Sequence, residues 1–218
     1  MKRRFVAALV TIIGTVSALV VALRFPPVRG LGTRVRLPVY HGAMTWATLI
    51  AFAALLIVSI WFLARRTDAA WRWESALRWT VLTLWLIGTV LGFIAAYNTW
   101  DLSAAQSSAL RIMGEDPRLV IQVVILCLGC IVLTMPLVTE SRRVRSIADI
   151  AFVVASFTLL GWAMNAGAAL HPDSPIMNSP EILIKVLFSM MVVGHLVAIA
   201  GLASLLFVHK GREERSAT

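Results

Sequence analysis

Long apolar runs separated by short polar links organise the whole chain. Residues 5–23, 43–64, 79–97, 119–138, 150–170 and 182–208 are each nearly free of charge. Each run matches the roughly 20 helical residues needed to cross a hydrocarbon layer about 30 Å thick. None alternates apolar and polar positions as a half-buried strand does. In hydrocarbon the backbone must satisfy its own N–H and C=O groups, and a helix does so within one segment. The pattern predicts an all-α polytopic membrane protein, a six-transmembrane-helix bundle in which residues 1–218 form one membrane domain. The opening "MKRRFVAALV" has the charge pattern of a signal peptide. Its apolar run is long and lacks a small-residue exit before Arg24, so it reads as a retained first span.

Composition agrees with the pattern. Of 218 residues, 59% are hydrophobic and only 14% charged, and the mean hydropathy is +0.84, far from the balance of soluble domains. The basic residues then orient the spans. With the N-terminus inside, thirteen Lys and Arg fall on the inner side: Lys2, Arg3, Arg4, Arg65, Arg66, Arg72, Arg78, Arg142, Arg143, Arg145, Lys210, Arg212 and Arg215. Six fall outside: Arg24, Arg29, Arg34, Arg36, Arg111 and Arg118. The positive-inside rule therefore puts both termini in the cytoplasm. The net charge of +9 follows from this bias and from anionic headgroups, with no nucleic acid required. The expected location is a membrane, with both termini on its inner side.

Glycines at helix-contact spacing, as in "GTVLG" from Gly88 to Gly92, read as packing positions where small residues let backbones approach. Trp71, Trp73 and Trp79 read as headgroup anchors at the inner end of span three. Pro136 is expected to loosen or end span four. Cys127 and Cys130 form a C-x-x-C in mid-span and read as buried packing thiols.

The histidines carry the candidate chemistry. His41 opens span two and His171 follows span five, so both belong to the outer face. His195 lies fourteen residues after Glu181 and fourteen before His209. At about 1.5 Å per residue that places it near the midplane, too far from His209 to share a ligand. Gly42, Thr45 and Thr48 accompany His41, while Gly167 and Ala168 lie one turn from His171. Small neighbours leave room for a flat group, and heme held by two imidazoles suits such a slot. The same face carries "YNTWDLS", in which Tyr97 and Trp100 offer aromatic surface. Asp101 there offers an acceptor for a ligand's second nitrogen. Arg34 and Arg36, with Arg24 and Arg29, offer planar forks to carboxylates such as heme propionates. Lipid phosphates would serve these arginines equally. No paired nucleophile and base, phosphate-binding loop or dinucleotide fingerprint occurs, so the chain does not read as an enzyme.

This layout resembles the heme-handling membrane proteins of cytochrome c biogenesis, of the heme exporter protein C and CcsA type. The resemblance rests on His41 in "VYHGAMTW", Trp100–Asp101 in "YNTWD" and His171 in "ALHPDSP", across residues 40–207. It implies a heme b with His41 and His171 as metal ligands at the outer face. An aromatic platform would include Trp100, and the heme would be presented to a heme chaperone or to other membrane subunits. Two other readings compete. One is a b-type cytochrome electron-transfer subunit, limited to a single bis-histidine heme because the inner half offers only His195 and His209 on one helix. The other is a heme-free structural subunit of a larger membrane complex.

Overall fold

The computed structural model describes residues 2–28, 30–99, 114–166, 176 and 179–216, with side chains as far as 209. Six helices cover these residues: α1 (Lys2–Arg24), α2 (Arg36–Arg65), α3 (Asp68–Thr99), α4 (Pro117–Val138), α5 (Arg142–Asn165) and α6 (Ile182–Ser216). All six are long and apolar enough to cross a membrane. No strand occurs among the described residues. The protein is an all-α six-helix membrane bundle.

The helices outrun the apolar segments because their charged flanks are good helix formers with local caps. Asp116 accepts the backbone N–H groups of Arg118, at 2.8 Å, and Leu119, with Pro117 in the first turn of α4. Arg66 ends α2 in the left-handed conformation at φ 53°. Thr67 Oγ1 then accepts from Ala70 N–H, so a two-residue link starts α3. Pro136 sits two residues before the last residue of α4. Pro38 lies within the first turn of α2, where a missing N–H is tolerated. His41 is therefore a helical residue, one turn and a half inside α2, and not the last residue of a loop.

Helices α2 and α3 occupy the centre. Phe52, Leu55, Val81, Trp85, Ile125 and Val153 pack there into one apolar core. Helix α4 lies at the edge, packed on α3 and α5, while α1 packs chiefly along α6. That last seam is a close approach of small residues. A Cβ on Gly201 would lie 2.6 Å from Thr11 N, and one on Gly14 would lie 2.6 Å from the Gly194 carbonyl oxygen. Arg4 meets His209 Nδ1 at 3.0 Å, so the start of α1 and the far part of α6 share one end of the bundle. The opposite end holds the start of α2 and the last residues of α3 and α5.

Candidate functional site

His41 sits at the end opposite the termini, and glycine makes its seat. A Cβ on Gly92 of α3 would lie 2.9 Å from His41 Cε1, 3.1 Å from Nε2 and 3.0 Å from Gln122 Oε1 of α4. The imidazole edge and the carboxamide therefore meet over a gap that only glycine leaves open. A Cβ on Gly88, one turn away, would lie 3.4 Å from the methyl of Met44. "GTVLG" is thus packing, but it packs the histidine itself. The His41 carbonyl accepts from Thr45 Oγ1 at 3.0 Å, and the Gln122 carbonyl accepts from Trp85 Nε1 at 3.0 Å. The seam below, between Thr45, Thr48, Trp85, Thr89 and Gln122, is too narrow to hold a water. Gln122 gave no signal in the sequence beyond being a lone amide in an apolar run.

The other candidate residues fall into two groups. Trp100, Asp101 and His171 lie outside the described residues. Tyr97, Arg34 and Arg36 are described. Tyr97 is exposed, and its five-residue spacing from Gly92 turns it about 140° around α3 from the histidine's seat. Arg34 is exposed on the short helical turn Thr33–Val35 that precedes α2. Arg36 is half-buried, and its Nε donates to the Phe25 carbonyl at 3.1 Å, tying the first connection down.

His195 is nearer to this end than residue counting placed it. Its ring lies edge-on to Tyr40, with centroids 4.8 Å apart, and Tyr40 immediately precedes His41. The reason is vertical offset between helices. Gly14 packs against Gly194 and Ala198, which brings Arg24, ten residues on, level with roughly residue 186, so the first turn of α6 projects beyond the end of α1. The side chain is 5% exposed, and among the described residues its Nε2 has no hydrogen-bond partner.

A heme must be fitted to what these residues leave. One side of His41 is filled by Gly92 and Gln122, and the seam beneath admits nothing flat. Among the described residues no cluster of three metal-ligating side chains occurs. They fit one imidazole ligand offered at the end of the bundle, and they do not fit a macrocycle slotted between α2, α3 and α4.

The end holding the termini contains a polar group that the sequence reading missed. Arg78, read there as one of the inner arginines flanking span three, is 4% exposed, and Asp149 and Glu74 are 0% exposed. Arg78 Nε donates to both Asp149 oxygens, at 2.7 and 2.9 Å, joining α3 to α5. Ser146 Oγ donates to Glu74 Oε2 at 2.7 Å, and Glu74 Oε1 lies 3.8 Å from Arg78. Two clues stand in the sequence: Glu74 and Arg78 are four apart, Ser146 and Asp149 three apart, each pair on one helical face.

Two further expectations change. Trp71 is buried, and the guanidinium carbons of Arg78, Arg142 and Arg145 lie 5.5, 5.4 and 5.9 Å from a ring centre. Trp73 stacks on Phe207 at 4.5 Å, which leaves Trp79, exposed, as the headgroup-type tryptophan of the three. Cys127 and Cys130 are exposed free thiols on the outer side of α4, not buried packing groups. An edge helix that touches two neighbours has half its surface left for lipid.

The sequence matches no protein-family model and no curated protein.

Proposed function

We propose that this chain is a non-enzymatic heme-handling membrane protein of the cytochrome c maturation type, with His41 and His171 as axial ligands to heme b at the outer face of a bacterial plasma membrane. The observation that carries the reading is the seat of His41. An imidazole is held by glycine and amide at the end of the bundle where α3 and α5 finish, and those two helices lead into the segments bearing Trp100–Asp101 and His171. When bound, heme supplies an iron whose axial positions two imidazoles fill, giving a low-spin centre. In this reading Gln122 and Gly92 fix the His41 ring, Asp101 orients a ligand through its second nitrogen, and Trp100 lends aromatic surface. Arg34 and Arg36 meet the carboxylates. The receiving partner is a heme chaperone or another subunit of a membrane assembly.

One observation favours a second reading. His41 packs between helices as a seam residue would, which suits a heme-free structural subunit. Absorption spectra of the purified protein, oxidised and reduced, separate the two. Wild type expressed with ample heme should show a low-spin Soret band, and His41→Ala and His171→Ala should each lose or shift it. An absent band, or unchanged spectra in both variants, would leave the structural reading. Reduction by a quinol analogue would turn the assignment toward a b-type cytochrome electron-transfer subunit. Co-purification of a heme chaperone would turn it toward maturation.

A further inference from the structure

We infer that the groove between α1 and α6 holds an acyl chain of an anionic membrane phospholipid, with the lipid headgroup on Lys185. The groove has a volume of about 560 Å³, within the range that accepts small apolar ligands. Its floor is the glycine contact of Gly14 with Gly194, where two backbones touch and no side chain rises between them. Along α6 it runs from Lys185 to Val197, and along α1 from Val21 to Ile13. At 1.5 Å per residue these are about 18 and 12 Å. A crossing helix would need a track of roughly 30 Å, so the groove is too short for a partner span and suits a single extended chain.

Charge selects the kind of lipid. Among the described residues Lys185 is the one charged residue lining the groove, and it stands four positions into α6, at the end opposite the termini. Arg24, the last residue of α1, is exposed at the same end. A lysine there lays its stem along the apolar wall and its ammonium in the phosphate layer. Ser189 Oγ donates to the Lys185 carbonyl at 2.9 Å, so the nearest hydroxyl is already committed and the ammonium supplies the recognition. A zwitterionic headgroup brings its own cation and gains less.

The test uses the full chain in nanodiscs of equimolar phosphatidylglycerol and phosphatidylcholine, released into detergent and weighed by native mass spectrometry. Wild type should retain phosphatidylglycerol over phosphatidylcholine by about fivefold, the effect of one cation near a headgroup. Lys185→Gln should fall to parity and Lys185→Arg should keep the preference. Val193→Trp, placed on the exposed wall, should lose bound lipid of both kinds at an unchanged melting temperature. Equal retention of the two lipids by wild type overturns the assignment, as does undiminished preference in Lys185→Gln. A change of oligomeric mass in Val193→Trp also overturns it, because the groove would then belong to a second copy of the chain.

Discussion

The two ends of this bundle are built from opposite materials. At the end with the termini, charged groups are buried and locked: Arg78 grips Asp149 with Glu74 and Ser146 alongside, and a tryptophan underlies three guanidinium groups. At the other end the polar groups around His41 are uncharged or ring-like, Gln122, Tyr40 and His195, set against glycine and one another. The buried carboxylate there, Asp116, caps the first backbone N–H groups of α4, and among the described residues no basic side chain grips it in the manner of Arg78. Separating a buried ion pair leaves a charge stranded in a low-dielectric interior, which costs several kcal/mol. Turning an imidazole disturbs only contacts and single hydrogen bonds, each about 1 kcal/mol. The end with the termini is therefore the more costly of the two to disturb.

Removing one partner of the buried pair should give the largest effect. Asp149→Ala takes the bidentate partner from the buried Arg78 guanidinium and leaves it only Glu74, at 3.8 Å, and the expected loss is about 3 kcal/mol, read as unfolding of the purified protein in detergent. The triple change Arg78→Met, Asp149→Leu and Glu74→Gln should recover most of that loss, because it removes every ionisable group of the buried cluster and keeps the volume. If Asp149→Ala costs under about 1 kcal/mol, the charges are hydrated and the contrast between the ends fails.

Glycine gives the next test, since the same added methyl meets different obstacles. At Gly201, on the α1–α6 seam, a Cβ runs into the Thr11 backbone nitrogen at 2.6 Å and the Ala7 carbonyl at 2.9 Å. Backbone cannot step aside, so Gly201→Ala should cost about 1–3 kcal/mol, as overpacking does. At Gly92 the obstacles are the ends of the His41 and Gln122 side chains, which can rotate. Gly92→Ala should cost about 1 kcal/mol or less, yet displace His41 and, if the heme assignment holds, move the Soret band. Equal stability losses at the two glycines would mean that His41 is as immobile as backbone.

The fold was legible because six uninterrupted apolar runs leave a membrane helix as the one way to satisfy each backbone. The faces were not legible, for the same reason: a helix apolar all round carries no stripe to say which side meets protein. Hence Cys127 and Cys130 were placed inside when they point out. The Arg78–Asp149 pair escaped because each partner borders an apolar run and only the fold brings α3 beside α5. Of the candidate site, the end of the bundle followed from counting spans. The seat on Gly92, the role of Gln122 and the approach of His195 to Tyr40 depend on how far helices slide past one another, which no local pattern records.

The smallest effect is expected from a second arginine–carboxylate pair at the termini end. Arg142 Nη1 meets Asp68 Oδ1 at 2.7 Å, as short as the closest Arg78 Nε contact with Asp149, yet the two side chains are 44% and 72% exposed. In high dielectric the attraction is screened, and holding two long side chains in one geometry has an entropic cost of similar size. Asp68 also lies in the first turn of α3, where a negative charge meets the positive end of the helix dipole, a small additional gain weakened by salt. Asp68→Asn should therefore lower stability by less than about 0.5 kcal/mol, and added salt should erase most of the difference. A loss approaching that of Asp149→Ala would mean that contact geometry, not burial, makes this end rigid. A small one leaves desolvation of the Arg78–Asp149 pair as the cause.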